Sequence, residues 1–343
     1  MMTLEEIVRY AEERKASDIH LAEEKRVLIR VDGDLEAMGH FTVTKDMMDT
    51  FAETLGVGEK DGEIDLAVTL SGRRLRGNIY SCRGKKSIAL RLLSDHMPSL
   101  DELNLPKVVE TFPEYEKGLV LVTGETGSGK STTLAALLDT INHTKRRHII
   151  TLEDPVEYLY TDDLCRISQR EMGRDSKNYQ TALRAILRED PDVILIGEMR
   201  DAETILAALL AAETGHLVFA TLHTNSAADT IDRIVGTFPA ERQSQIRMEL
   251  SQSLKAVLSQ QLLKRKGGGR VAACEVLVTT PAIKNLIREG KTPQITSAMQ
   301  SSRREGSLLM QAAVKDLEDR GIIEKRNLFP GGQMTCRGRG DRV

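Results

Sequence analysis

The sequence contains no tryptophan, and its aromatic residues amount to only 3% of the chain. So few aromatic side chains argue against a protein whose main task is to stack nucleic-acid bases. The formal net charge of −3 at pH 7 also provides no overall attraction to nucleic acid or to an anionic membrane surface. We therefore expect that nucleic acid is not a partner of this protein.

Cysteine is also scarce, and the chain has no pair of cysteines with CxxC spacing. The four positions are Cys82, Cys165, Cys274 and Cys336. Their separation predicts neither a disulfide framework nor a zinc ribbon, and it is typical of a reducing compartment. The charged N-terminal segment lacks the apolar core of a signal peptide.

A long uninterrupted apolar run is missing as well. The longest apolar region, residues 205–222, is broken by Glu213, Thr214, Gly215 and His216. This pattern predicts a buried helix followed by a strand rather than a membrane span. We therefore expect a cytoplasmic protein with no direct membrane span.

The chain of 343 residues is long enough for two domains, each with its own core. Residues 1–97 combine an amphipathic helix with short apolar runs, which are separated by tight turns at residues 71–72 and 83–84. This arrangement predicts a small α+β domain around an antiparallel sheet. Two prolines, Pro98 and Pro106, indicate a linker over residues 98–117.

Residues 118–270 have a different pattern, in which short and almost unbroken apolar strands alternate with glycine turns and helices. This alternation predicts an α/β core with a parallel sheet covered on both faces. After Ser226 we expect mainly helix, including one long helix from Glu241 to Leu263, and a single late strand, RVAACEVLV. The predicted remainder is a helical C-terminal subdomain over 271–330 and a disordered tail over 331–343.

The strongest motif is GETGSGKS, which satisfies GxxxxGK[ST] between an apolar strand and a helix. Its glycines allow backbone N–H groups to surround phosphates at a helix N-terminus, where the helix dipole is positive. A chance glycine turn would lack this context. We expect Lys130 to bridge the β- and γ-phosphates of ATP and Ser131 to bind Mg²⁺. The predicted nucleotide-binding residues are Gly124, Glu125, Thr126, Gly127, Ser128, Gly129, Lys130, Ser131 and Thr132.

Phosphoryl transfer also needs acidic groups for Mg²⁺ and the attacking water. Carboxylates follow two predicted strands of the parallel sheet, at the carboxyl ends where such sheets bind ligands. The first set contains Glu153, Asp154 and Glu157, and the second is Glu198. The alternative is that these are surface acids in loops, and the residues themselves do not decide which member of the first set is the base.

Histidines lie at both ends of the apolar run LVFATL, with His216 before it and His223 after it. A single histidine is most often structural or exposed. At the catalytic end of a parallel strand, however, a histidine can sense the γ-phosphate or transmit its presence to a neighbour.

Together these segments resemble the secretion and type IV pilus ATPase superfamily. Its Walker A loop, Asp box, Walker B strand and His box correspond in order and spacing to GETGSGKST, ITLEDPVEY, LREDPDVILIGEMRD and GHLVFATLHTNSA. The N-terminal segments ASDIHL, RGNIY and ALRLL are similar to the first domain of that superfamily. The resemblance implies a PAS-like N-domain, a RecA-like P-loop C-domain, ATP bound between them, and a ring of six subunits.

Two features are similar to the retraction branch of the superfamily, the PilT family. Residues 282–289, AIKNLIRE, resemble the AIRNLIRE signature of that branch, with Lys284 in place of the first arginine. Assembly ATPases usually carry a tetracysteine zinc element and an extra N-terminal domain, and this sequence has neither. The resemblance therefore implies a homo-hexamer at the inner face of the cytoplasmic membrane, which acts on an inner-membrane platform protein and indirectly on pilin in twitching motility.

The resemblance also implies roles for single residues. Glu157 would be the general base that orients water, Glu198 would serve Mg²⁺ and the γ-phosphate, and Lys130 would complete the catalytic set. His216 and His223 would couple the nucleotide state to the sheet.

Arginines are expected to complete the site, because the charge on the γ-phosphate must be stabilised from outside the loop. Arg76 and Arg91 lie on predicted N-domain strands and match the arginine positions of the family. Arg184 and Arg188, about one helical turn apart before the Walker B strand, are further candidates.

Three other functions stay open at this point. An assembly ATPase of type IV pili or type II secretion shares the motifs but usually has the tetracysteine element. A DNA-translocating ATPase shares the RecA-like core, but the charge and the aromatic content argue against it. A non-hydrolysing nucleotide-binding regulator or scaffold would not need the Walker A lysine together with Glu157 and Glu198.

Overall fold

The computed structural model describes residues 2–31, 33–57, 62–93 and 96–325. The tail predicted at 331–343 lies outside the described residues. The described strands form two sheets, one with six strands and one with seven.

The N-terminal sheet contains, in chain order, β1 (Asp18–Ala22), β2 (Arg26–Val31), β3 (Asp34–Thr42), β4 (Ile64–Leu70), β5 (Arg73–Cys82) and β6 (Lys85–Leu92). All its pairs are antiparallel, and the order across the sheet is β3-β2-β1-β6-β5-β4. Two helices, α1 (Leu4–Glu13) and α2 (Lys45–Thr54), accompany it. The apolar side of α1, which includes Ile7 and Val8, shares one buried core with Ile19 and Leu90 of the sheet. The α+β class predicted for this region is therefore confirmed.

The second sheet contains β7 (Gly118–Thr123), β8 (His148–Glu153), β9 (Arg166–Glu171), β10 (Val193–Ile196), β11 (Leu217–Leu222), β12 (Leu254–Lys264) and β13 (Arg270–Val278). Its order is β13-β12-β7-β11-β10-β8-β9, and each pair is parallel except β12 with β13. The helices of this part are α3 (Lys130–Thr144), α4 (Tyr179–Ile186), α5 (Ala202–Glu213), α6 (Ala227–Gly236), α7 (Ala240–Ser253), α8 (Pro281–Arg288), α9 (Ile295–Ser301) and α10 (Met310–Asp319), with short 3₁₀ helices at Lys107–Glu114 and Thr292–Gln294.

Both faces of this second sheet are buried, and the alternation of side chains along β7 shows how. Leu119 and Leu121 join the core on one face, together with residues of α4, α5, α6 and α7. Val120 and Val122 join the core on the other face, which includes residues of α3. A strand with apolar neighbours above and below has an unbroken apolar sequence. The predicted parallel α/β core is confirmed.

The long helix predicted from Glu241 to Leu263 is wrong in its second half. Helix α7 ends at Ser253, and the chain continues as β12, parallel to β7 and antiparallel to β13. A short buried apolar run fits helix and strand periodicities alike, and here strand pairing decides between them. Leu258 pairs with Val122 and Val276, and it is fully buried.

The predicted boundary at residue 270 falls at the first residue of β13. This strand completes one edge of the sheet, and the helices α8 to α10 follow it. The predicted linker over 98–117 contains the 3₁₀ helix, whose Val109 and Phe112 are buried in the core on the α3 face. In the described ranges, no helix has the length and apolar character needed to cross a membrane.

The placement of β12 can be tested by stability. Leu258→Ala should lower the free energy of unfolding by about 2–5 kcal/mol, because it leaves a cavity in the core between the sheet and α3. Leu35→Ala is the matched control, since Leu35 is 49% exposed on β3. Urea unfolding followed by circular dichroism measures both variants. Equal losses for the two would contradict the buried position of Leu258.

Candidate active site

The GETGSGKS segment forms the turn between β7 and α3, at the carboxyl edge of the parallel sheet. Gly124, Gly127 and Gly129 have φ values of 141°, 78° and 92°, which side-chain-bearing residues rarely adopt. A Cβ on Gly124 would also collide with the main-chain oxygen of Gln260 and lie 2.6 Å from Ser128 Oγ. The glycines are thus required by the loop conformation. The start of α3 is without a side-chain cap among the described residues, so the N–H groups of its first turn are left for an anion to bind.

Lys130 is the cation at the centre of this loop. Its Nζ donates hydrogen bonds to the carbonyl oxygens of Gly124 at 2.7 Å and Glu125 at 2.9 Å. Burial lowers the pKa of Lys130, and the negative charges of Glu198 and Glu157 partly oppose this. Both of the acids predicted from the sequence therefore act on the charge of this ammonium group. A phosphate group in the loop would give Lys130 an additional negative partner.

Glu198 follows β10, and the side chains of Arg200 and His223 contact its carboxylate. Arg200 contacts one of its carboxylate oxygens at 2.8 Å, and His223 Nε2 lies 3.3 Å from the other. Burial alone would raise the pKa of Glu198, but the hydrogen bond and charge of Arg200, together with His223, bring this pKa below its usual value. Glu198 is therefore ionised near neutral pH and can act as a ligand for a cation.

The segment from Glu153 to Glu157 begins at the end of β8, the strand that pairs with β10. Tyr158, which follows Glu157, has its hydroxyl 3.0 Å from Thr132 Oγ1 in the first turn of α3. This contact fixes the end of the acidic segment against the helix that begins at the P-loop. The structure thus brings Glu157, Glu198 and Lys130 to one site.

Glu153 differs from Glu157 in its surroundings. Its carboxylate accepts hydrogen bonds from Thr151 Oγ1 at 2.7 Å and from Gln169 Nε2 at 3.3 Å. Burial raises the pKa of Glu153 to about 7, against the effect of these two hydrogen bonds, and the charge of Glu157 adds to the increase. Because one Glu153 oxygen is already occupied by the sheet, this arrangement favours Glu157 as the acid that faces the nucleotide.

The two predicted sensor histidines lie at opposite ends of β11. His223 follows the strand and contacts Glu198, whereas His216 precedes it, with Nδ1 2.9 Å from the carbonyl oxygen of Ala211. At about 3.3 Å per residue, the strand separates them by about 20 Å. The structure therefore brings His223 to the site and leaves His216 at the other edge of the sheet.

The predicted arginines of the N-terminal sheet, Arg76 and Arg91, are cross-strand neighbours and are both exposed. Arg91 Nε donates to Asp18 Oδ1 at 2.8 Å. Arg184 on α4 and Arg188 just after it are exposed as well. Burial therefore does not distinguish these four arginines from others on the surface.

Several residues of the site had not been selected from the sequence. Arg200 holds Glu198, and Asn225 Nδ2 donates to the P-loop residue Glu125 at 3.4 Å. The hydroxyl of Tyr179 is buried and has no hydrogen-bond partner among the described residues. Burial, and then the charge of Asp154, raise the pKa of Tyr179. Only Arg200 had a usable signal, since it lies two residues after the predicted Walker B acid.

The oxygens available at the site suit a hard cation such as Mg²⁺. Ser131 supplies a hydroxyl and Glu198 an ionised carboxylate, and Mg²⁺ beside ATP is usually held by one or two protein oxygens, with phosphate and water completing its shell. Within the ranges that the structure describes, no group of three or more histidine, cysteine, aspartate or glutamate side chains is arranged to hold a metal ion by itself. The donor set therefore fits a nucleotide-associated ion.

Comparison with known proteins matches residues 1–327 to the family described as type II/IV secretion system protein. The chain is 44% identical over 336 residues to the type IV pilus retractation ATPase PilT of Pseudomonas aeruginosa, covering 95% of this chain and 97% of that protein. It is 47% identical over 316 residues to the uncharacterized protein YggR of Escherichia coli, covering 90% and 96%. Among solved structures, that of the pilus retraction motor PilT with bound ADP has a TM-score of 0.88 and 44% identity, covering 94% of this chain and 95% of that one.

The raised pKa of Glu153 predicts a pH-dependent contribution to stability. Between the ordinary glutamate pKa of 4.5 and about 7, the folded chain binds a proton at Glu153, whereas the unfolded chain releases it. Wild-type stability should therefore lose this contribution as the pH rises through that window, and Glu153→Gln should not. Urea unfolding across the window should show the stability of the variant, relative to wild type, increasing with pH. A constant difference would contradict the raised pKa.

Proposed function

The chain belongs to the type II/IV secretion system protein family, and from this premise we propose that it is the ATP-hydrolysing motor that powers retraction of type IV pili. The observation that carries the proposal is that the P-loop with Lys130, the segment that carries Glu157, and Glu198 all follow strands at the carboxyl edge of the parallel sheet. The names of the retraction relatives, which are similar over nearly their whole length, support the direction of the motor.

Each residue of the site has one task in this proposal. The N–H groups of the loop over 124–132 and the ammonium of Lys130 hold the β- and γ-phosphates of ATP. Ser131 and Glu198 would hold Mg²⁺, which when bound would neutralise charge on the phosphate oxygens. Glu157 orients a water molecule in line with the bond to the leaving ADP and accepts its proton.

His223 connects this chemistry to the sheet. It contacts Glu198 and lies at the end of β11, next to β7, whose own end leads into the P-loop. Loss of the γ-phosphate changes the charge that Glu198 faces, and His223 transmits the change to the strand. His216 lies at the other end of β11, so in this proposal it contributes to the coupling and takes no part in the chemistry.

The assembly that fits the proposal is a homo-hexamer in the cytoplasm, at the inner face of the cytoplasmic membrane. ATP binds between the two domains of a subunit, with Arg76 and Arg91 stabilising the γ-phosphate from the N-terminal sheet. Domain closure and reopening act on an inner-membrane platform protein and, through it, on pilin. Helix α8, which carries the AIKNLIRE segment, is a candidate for this coupling.

The second candidate is an extension ATPase of type IV pili or of type II secretion. Such a motor has the same site chemistry, so the active-site geometry does not distinguish it. The extent of the similarity to a retraction ATPase, 97% of that protein, favours retraction. A non-hydrolysing scaffold is disfavoured, because Lys130 and the two acids would then have no chemical task.

Two substitutions test the hydrolytic site. Lys130→Ala should abolish ATP turnover because the phosphates lose their cation, and Glu157→Gln should lower kcat by about 100-fold or more because the base is lost. Both variants should retain the assembly state of the wild type and should fail to retract pili.

Glu53→Gln, on the exposed side of α2, is the charge-matched control and should keep wild-type turnover. The assay is phosphate release, with the assembly state measured by light scattering. Turnover that survives in Lys130→Ala would remove the assigned site, and a wild type with no turnover at any concentration would favour the scaffold.

A further inference from the structure

A buried arginine of the N-terminal sheet reaches into the ATPase part of the chain. Arg74 lies on β5 and is only 8% exposed. Its Nε donates a hydrogen bond to the carbonyl oxygen of Val156 at 3.2 Å, and the same guanidinium forms an ion pair with Glu171. Glu171 is also 8% exposed. The contact therefore joins the two sheets through charged groups that are both removed from water.

The same ion pair holds Val156 from two sides. Val156 N–H donates to the carboxylate of Glu171 at 3.2 Å, while its carbonyl oxygen accepts from Arg74. Both main-chain polar groups of Val156 are thus bound by one arginine–carboxylate pair. The next residue in the chain is Glu157, so this pair fixes the main chain directly before the assigned base.

Glu171 is itself firmly placed in the second sheet. It ends β9, opposite Glu153 in the parallel register of β8 and β9. Its N–H donates to Asp175 Oδ2 at 2.8 Å, and the following Met172 N–H donates to the Glu153 carbonyl oxygen at 2.8 Å. Glu171 therefore belongs to the second, seven-stranded sheet (the ATPase sheet), whereas Arg74 belongs to the N-terminal sheet.

We propose that Arg74 is a positioning residue for ATP hydrolysis. Together with Glu171 it holds Val156, and it thereby directs Glu157 at the attacking water only when the N-terminal sheet is in contact with the ATPase sheet. This inference rests on the proposed role of Glu157. It gives the N-terminal sheet a direct effect on the base, separate from any contact with phosphate. Closure of the two domains would then be the step that permits hydrolysis.

The free-energy cost of a buried, unpaired charge explains why the Arg74–Glu171 pair depends on the contact between the two sheets. Removal of one partner leaves the other charge buried without compensation, which is strongly unfavourable. When the N-terminal sheet moves away, Glu171 must take up water or other donors, and Val156 loses the bond to its carbonyl oxygen. A small displacement of a catalytic group is sufficient to slow a reaction greatly.

The test measures kcat and KM for ATP hydrolysis by the full chain. Arg74→Ala and Glu171→Gln should each lower kcat by roughly 10- to 100-fold with little change in KM, because the base is misplaced while the phosphate loop is intact. Arg74→Lys keeps the charge but loses the fork of donors, so its kcat should be intermediate. Arg74→Met, which retains an apolar stem, is measured alongside in case Arg74→Ala does not fold.

Arg73→Ala is the matched control. Arg73 is the neighbouring residue, and its guanidinium also binds a carboxylate, that of Glu12, and a main-chain oxygen, that of Leu93 at 3.2 Å. Both of these partners, Glu12 and Leu93, lie on the N-terminal side of the linker. Arg73→Ala should therefore keep the kcat of the wild type.

A double variant of Arg74 and Glu157 distinguishes a positioning role of Arg74 from a purely structural one. If Arg74 acts through Glu157, Arg74→Ala should cause no further loss of kcat in a Glu157→Gln background, whereas a general loss of folded protein would multiply. Wild-type kcat in Arg74→Met, or a multiplied loss in the double variant, would overturn this inference while Glu157→Gln alone still supported the proposed function. A wild type without ATP turnover would overturn the proposed function itself.

Discussion

The burial of the parallel sheet on both faces is the constraint on which the rest of the structure depends. Because helices cover each face, the residues that perform chemistry can lie only at the strand ends, and parallel strands place those ends at one edge. β7 leads into the P-loop, β8 into the segment of Glu157, β10 into Glu198 and β11 into His223. Four segments that are distant in sequence thereby become one site.

Electrostatics then give each member of this site a distinct state. Arg200 and His223 keep the pKa of Glu198 below its usual value in spite of partial burial, whereas the surroundings of Glu153 raise its pKa to about 7. Lys130 Nζ donates to the loop carbonyls of Gly124 and Glu125, and the charges of Glu198 and Glu157 partly oppose the lowering of its pKa by burial. The site therefore holds two acids in different surroundings, which suits the separate metal and water roles proposed for Glu198 and Glu157.

Local signals in the sequence were sufficient for part of this arrangement. The P-loop, Glu198 and His223 could be predicted, because the glycine spacing and the apolar strands before them are contained within short segments. The end of α7 could not, since the buried run after Ser253 fits a helix until its pairing with β7 is known. The pair of Arg74 with Glu171 joins residues 97 positions apart, which no local pattern encodes.

A motor that shortens pili and one that extends them have opposite effects on the number of pili at the cell surface. This number can be counted, with twitching motility scored beside it, after deletion of the gene from the organism that encodes this chain. For a retraction motor we expect more surface pili together with loss of twitching, and restoration of both by the wild-type gene but not by a gene carrying Glu157→Gln. Cells without surface pili would contradict a retraction role and would assign the motor to pilus assembly.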